Sequence, residues 1–261
     1  MVDENLNNEL EEERPPKHGK RVYVYFGLLL AIILAVFVVK AQWQTHVPVK
    51  QVAVEGTSIL SKDEIVRMMK LPPRVSIYDL DLTTLQKNIL ANSFVKEVVI
   101  TRDAPSLLRV TVKERKPSAI VVANELYYID EEGMVLPYVA SSETYDIPVI
   151  TGIDSIGSLR AGQKLYNRDV EEALEIIHAA KEINTELFHN ISEVSLRKGH
   201  DMILYSFESG IPIIFGKGEV VRKMVKLDAF WQKFLEGNEM KEIQYIDIRF
   251  DDQVVVSRKS S

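Results

Sequence analysis

Val22-Tyr23-Val24-Tyr25-Phe26-Gly27-Leu28-Leu29-Leu30-Ala31-Ile32-Ile33-Leu34-Ala35-Val36-Phe37-Val38-Val39 carries no charge and no strong hydrogen-bonding side chain other than two tyrosines. As a helix these residues cover about 27 Å, enough for a hydrocarbon core when Lys40 snorkels and Trp43 sits at the interface. A transmembrane helix is therefore predicted over 22–43. The N-terminal side of this run is short and polar, and the C-terminal side is long and patterned like folded protein, so one anchor carries one soluble portion. Lys17, Lys20 and Arg21, with Arg14 further out, crowd the N-terminal flank, whereas Lys40 stands alone on the other side until Lys50. The positive-inside rule then places the N-terminus in the cytoplasm and residues from about 41 onward outside it. A cleavable signal peptide is the rival, since Val39-Lys40-Ala41 offers small residues, but the apolar run exceeds a signal core of about 7–15 residues.

Residues 1–21 begin acidic, turn basic after Pro15-Pro16 and hold almost nothing to bury, so a disordered cytoplasmic tail is expected. The chain has 261 residues, a net charge of −6 and no cysteine. That composition does not suggest a nucleic-acid partner and excludes disulfides, thiolate catalysis and the usual structural zinc site.

From Val47 the periodicity changes. Val49 to Gly56 alternates like a strand entering a turn. Ser61-Lys62-Asp63-Glu64 reads as a capping box opening a helix that Pro72-Pro73 stops. Thr83-Thr84-Leu85-Gln86 reads as a second box, with Leu82, Leu85, Ile89 and Leu90 on the buried side. Strands at Val95–Thr101 and Leu107–Lys113 flank the turn Arg102-Asp103-Ala104-Pro105, giving strand, helix, helix, strand, strand over 47–115.

The second unit spans 116–257, with a short tail at 258–261. Strands are predicted at Ala119–Ala123 and Glu125–Ile129, joined onward by the turn Asp130-Glu131-Glu132-Gly133. A loop-rich passage, 137–165, holds Pro148-Val149-Ile150-Thr151-Gly152. An amphipathic helix runs from about Asn167 to Ile183, and a meander of Ile191–Leu196, Met202–Phe207 and Ile211–Phe215 turns at Lys198–Asp201 and Glu208–Gly210. Gly216-Lys217-Gly218-Glu219 leads into a last helix with Val221, Met224, Leu227, Trp231 and Phe234 inward and Gly237 past its end. A final strand occupies Gln244–Val256. The fold class is α+β: an anchor, a β-α-α-β-β domain, and a mixed, antiparallel-rich β domain with two main helices.

Catalytic constellations are missing from the pattern. His18, His46, His178, His189 and His200 show no metal-ligand spacing, and no G-x-S-x-G elbow occurs. Asp130 and Glu131 read as turn carboxylates, and Glu171-Glu172 and Asp251-Asp252 as solvated pairs. Gly216-Lys217-Gly218 lacks the spacing of a phosphate loop. No enzyme activity, cofactor or metal is expected.

The run Arg102 to Pro117, R-D-A-P-S-L-L-R-V-T-V-K-E-R-K-P, resembles the POTRA domain of the FtsQ/DivIB family of bacterial division proteins. Phe94 keeps the aromatic of a Pro-Trp-Val that the family commonly has before its third strand segment. Tyr128-Ile129-Asp130-Glu131-Glu132-Gly133-Met134-Val135, Pro148 to Gly152, Gly216 to Gly218 and Tyr245-Ile246-Asp247-Ile248-Arg249-Phe250-Asp251-Asp252 are similar to further family motifs. The resemblance implies a bitopic divisome scaffold at the septal plasma membrane. Its β domain would bind FtsB (DivIC in Gram-positive bacteria), and through it FtsL, by adding a partner strand to the sheet's terminal edge. It implies contacts at Phe250, which holds the family's tyrosine position, and at Arg249, Lys217, Ile248, Asp251 and Asp252, and leaves the POTRA unit free for a further divisome contact. An Ile246–Phe250 edge with unpaired backbone groups suits such pairing. The other reading is a polypeptide-transport or chaperone module, although one unit and no barrel are present.

Overall fold

The structure, a computed structural model, describes residues 19–44, 47–123, 125–139, 145–153, 157–197, 201–235 and 242–259. The expectations for the tail up to residue 18, the Lys198 turn, His18, His46 and His200, the side chains of Trp43 and Phe234, and Gly237 lie outside the described residues.

Helix α1, Gly19–Gln44, contains the apolar window Tyr23–Lys40, long and apolar enough to cross a membrane. It belongs to one of two compact units, together with residues 72–80 and 102–108. In that unit Ile77 N–H donates to Val47 O at 2.8 Å and Lys50 N–H to Ser106 O at 3.0 Å. Arg102, expected only as a turn residue, donates to the carbonyls of Ile77 at 2.7 Å and Leu80 at 2.6 Å, so its guanidinium ties the 72–80 segment down.

The other unit comprises 52–71, 81–101 and 109–261. A three-stranded sheet has the order β1-β3-β2, formed by β1 Gln51–Glu55, β2 Val95–Asp103 and β3 Leu107–Glu114. Helix α2, Lys62–Met69, starts with the expected box: Ser61 Oγ accepts from Glu64 N at 3.2 Å while Ser61 N donates to Glu64 Oε2 at 2.8 Å. It ends earlier than the proline stop implies, because Lys70 adopts a left-handed conformation (φ 51°) that closes the helix. Helix α3, Leu82–Leu90, is capped by Asp81 rather than by Thr83. The Asp81 carboxylate accepts from Thr83 N at 3.0 Å and from the Thr84 hydroxyl at 2.6 Å. Aspartate is the stronger cap. Leu85 and Ile89 are buried, and Leu90, about 100° round the helix from Ile89, is exposed instead of buried as expected.

The nine-stranded sheet has the order β12-β11-β10-β9-β8-β7-β4-β5-β6. Its strands are β4 Pro117–Val122, β5 Leu126–Asp130, β6 Val135–Pro137, β7 Val149–Thr151, β8 Ile191–Leu196, β9 Met202–Ser206, β10 Pro212–Gly216, β11 Ile243–Asp247 and β12 Val255–Arg258. Pairs β4/β7, β7/β8 and β10/β11 are parallel and the other pairs antiparallel. Two of the parallel steps need crossovers, which are helices α4 Arg168–Ile183, followed by α5 Thr185–His189, and α6 Val220–Leu235. Helices α4 and α6 pack together, burying Val170, Ala173, Ile176, Ala180, Val220, Met224 and Leu227 with Ile150, Val194, Leu204, Phe215 and Ile246 of the sheet. Val221, expected inward, is exposed; Val220 takes that place, because the inward stripe runs 220, 224, 227, 231.

Two strands correct the sequence reading. β7 lies inside the passage read as loop, three residues long between Pro148 and Gly152. Gly152 (φ +71°) is demanded by packing, since a Cβ there would lie 2.1 Å from Leu196 O. The expected terminal strand is two strands: β11 stops at Asp247, the chain bends at Phe250-Asp251-Asp252, and β12 folds back on β11. The Ile246–Phe250 run is therefore not the edge. Ile248 N–H continues the parallel ladder to Ile214 O at 3.0 Å, and β12 is the outermost described strand.

The two sheets meet through a partly buried ion cluster. Asp130, 2% exposed, accepts from Glu132 N at 2.9 Å and Met134 N at 2.8 Å, as a turn carboxylate should, and also from Arg115 at 2.6 Å. Glu132 bridges Arg115 and Lys96 of β2, each at 2.8 Å. Phe94 packs beside it with Tyr128 and Leu136. Arg115→Ala leaves a buried carboxylate without its cation and should cost about 3 kcal/mol, the low end for a broken buried pair, in denaturant unfolding of the full chain. The bonds from Lys96 and Arg115 lower the Glu132 carboxyl to about 2 from its ordinary 4.5. A depressed acid stabilises above its unfolded value, so the advantage of wild type over Glu132→Gln should shrink as pH falls from 4.5 towards 2.

Candidate interaction surface at the sheet edge

The loop Ile248–Asp252 joins β11 to β12 and carries five of the six candidate contacts. Buried Asp247 starts it. Its Oδ1 accepts from Arg249 N at 3.1 Å and Nε at 3.0 Å, and its Oδ2 from Nη2 at 2.7 Å. Hydrogen bonding between the pair lowers the Asp247 carboxyl and raises the Arg249 guanidinium. The aliphatic part of Arg249 lies on Gly216 (φ +71°), where a Cβ would meet Cγ at 3.0 Å. That contact sets Arg249 beside the turn bearing Lys217.

Helix α6 grips both segments. Lys226 Nζ donates to Ile248 O at 2.9 Å and to Phe250 O. Arg222 donates to Asp251 O at 3.4 Å and pairs with the Asp251 carboxylate at 3.6 Å and that of Asp252 at 3.7 Å. Lys223, only 6% exposed, donates to Lys217 O at 2.6 Å beneath the Gly216–Glu219 turn, 5.0 Å from the Phe215 ring centroid. Burial lowers its ammonium. On the other side of that turn Lys217 Nζ meets Asp169 at 3.0 Å and Gly218 N–H donates to Glu172 at 2.6 Å.

Of the expected contacts, Phe250 is 45% exposed, and Arg249, Asp251, Asp252 and Lys217 are exposed as well. Ile248 is fully buried, so its side chain belongs to the core and anchors the loop. Sequence reading missed Arg222, Lys223, Lys226 and Asp247. The signal for three of them was present: cations at 222, 223 and 226 flank an apolar stripe at 220, 224 and 227. The expected inward Val221 obscured it.

The acids that could have suggested catalysis are engaged structurally: Asp130 with Arg115, Glu172 with Gly218 N–H, Asp251 and Asp252 with Arg222. Among the described residues, no group of three or more His, Cys, Asp or Glu side chains could hold a metal ion.

A helix fit to cross a membrane, a β-α-α-β-β module and a mixed sheet with a solvent-facing edge loop define an α+β chain with one candidate membrane helix. Residues 47–115 match "POTRA domain, FtsQ-type", and residues 116–257 match "FtsQ/DivIB, C-terminal related". The chain belongs to the FtsQ/DivIB family of bacterial cell division proteins. It is 27% identical to the cell division protein FtsQ of Geobacter sp. (strain M21), over 76% of this chain and 72% of that one. To that of Salinibacter ruber it is 26% identical, over 92% and 93%. The family consists of non-enzymatic, membrane-bound division scaffolds.

Proposed function

We propose that this chain is a bitopic scaffold of the divisome that binds an FtsB/DivIC-like protein, and through it an FtsL-like protein, by accepting a strand along β12. In this reading the N-terminus is cytoplasmic, a POTRA domain at 47–115 and a β domain at 116–257 stand outside the membrane, and the protein gathers at the septum to support wall synthesis.

The observation that carries the reading is the difference between the two edges of the nine-stranded sheet. Beyond β6, residues 162–165 pair with the chain: Val135 N–H donates to Gln163 O at 2.9 Å, Gly162 N–H to Val135 O at 2.8 Å and Leu165 N–H to Gly133 O at 2.8 Å. That edge is closed. Among the described strands none lies beyond β12, and the terminal strand of a sheet is a template for strand addition. Phe250, Arg249, Asp251, Asp252 and Lys217 line the approach, with Phe250 as the apolar anchor.

The test is a titration of the full chain in lipid nanodiscs with the extracytoplasmic segment of the FtsB/DivIC-like protein from the same genome. Phe250→Lys should weaken binding by about 30-fold, the hot-spot range, whereas Asp252→Lys should change it less than about threefold. Amide exchange at Val255–Arg258 should slow when the partner segment is added. Unchanged exchange there, with Phe250→Lys binding like wild type, contradicts strand addition at this edge.

A further inference from the structure

We infer that Arg222, Lys223 and Lys226 of α6 are positioning residues that hold the Phe250 loop and the Lys217 turn in one binding-ready geometry, an inference that rests on the docking reading above.

The geometry is unusual in what the cations bond. An exposed ion pair between side chains contributes little, because both partners remain free to reorient. Lys226 and Lys223 instead bond backbone oxygens, Ile248 O and Phe250 O for the first and Lys217 O for the second, and Arg222 adds Asp251 O to its pairs with the Asp251 and Asp252 carboxylates. Fixing carbonyls 248, 250 and 251 fixes the peptide planes that follow Ile248, Phe250 and Asp251, and so holds the backbone two residues before Phe250 and immediately after it. Its carbonyl is drawn towards α6 while its ring stays 45% exposed. Residues 222 and 226 are one helical turn apart, so they reach the same loop, and Lys223 lies round the helix towards the other segment.

Lys223 strengthens the case independently. Burying an ammonium is costly unless its donors are satisfied, and an apolar residue at that position would pack with less penalty. Its bond to Lys217 O instead secures the turn whose Gly216 supports Arg249. The three cations therefore tie two loops, distant in sequence, to one rigid helix. A loop that had to be ordered only on binding would lose roughly tenfold in affinity for each residue frozen. Preordering removes that loss.

The experiment compares Lys226→Met, which keeps the stem, with Lys226→Arg, which restores a donor, and Arg222→Gln, which loses the pairs to Asp251, Asp252 and Glu219 but leaves the Lys226 bonds in place. Two quantities are read in the full chain in nanodiscs. One is amide exchange at 249–252 in the free protein; the other is affinity for the FtsB/DivIC-like extracytoplasmic segment. For Lys226→Met the inference expects exchange at 249–252 to rise at least about tenfold and binding to weaken about tenfold, with the unfolding midpoint close to wild type. Lys226→Arg should recover most of both losses, and Arg222→Gln should give a smaller loss of the same sign. If Lys226→Met binds like wild type while Phe250→Lys does not, positioning by α6 is overturned and the docking edge stands. If Phe250→Lys also binds like wild type, the docking reading falls and this inference with it.

Discussion

A β-sheet leaves a row of backbone donors and acceptors unpaired at each of its two edges, and the nine-stranded sheet of this protein resolves its edges in opposite ways. At β6 the chain supplies its own cover, with residues 162–165 donating to and accepting from 133–135. At β12 the sheet ends in a four-residue strand, Val255–Arg258, with no described strand outside it. Short edge strands limit unwanted pairing, yet they still offer a specific partner a place to add. Most of the domain's architecture can be read as support for that edge.

The support is built from the crossovers. Parallel pairing of β10 with β11 forces the chain over the sheet as α6, and this delivers Arg222, Lys223 and Lys226 to the flank of the edge. The parallel step from β7 to β8 delivers α4, whose Asp169 and Glu172 meet Lys217 and Gly218. Both helices bury their apolar stripes in one core, so the loops they brace inherit the rigidity of that core. At the opposite end of the domain, Arg115, Asp130, Glu132 and Lys96 join the nine-stranded sheet to the three-stranded one through charge and hydrogen bonding, beside the apolar cluster of Phe94, Tyr128 and Leu136.

Much of this was legible in the residues. The apolar run before Lys40, the Ser61 capping box, the Asp130 turn and the β8–β10 meander each follow from local chemistry that tertiary structure left intact. The misses have physical causes. β7 is three residues long, below the length at which alternation is informative, and its strand character comes from pairing on both sides with β4 and β8. Asp81 outcompeted Thr83 as a cap because its carboxylate takes both an amide and a hydroxyl. The terminal run hid a reversal, because Asp251-Asp252 reads as exposed strand polarity until β12 is seen to fold back on β11. Candidate contacts such as Phe250 and Arg249 came from family motifs. The cations of α6 stand in the sequence beside its apolar stripe, but the carbonyls they bond emerge only from the structure, since a lysine bonded to a distant carbonyl leaves no local pattern.

The central claim is that the partner meets the β12 edge beside Phe250. Photocrosslinking in living cells tests it most directly, from an unnatural residue at position 250 in the full chain at native expression, with the adduct identified by mass spectrometry. The account predicts one predominant adduct, with a small bitopic protein of the division machinery of the FtsB/DivIC kind. A mixture of unrelated envelope polypeptides, or no adduct while septation still requires the protein, would contradict it.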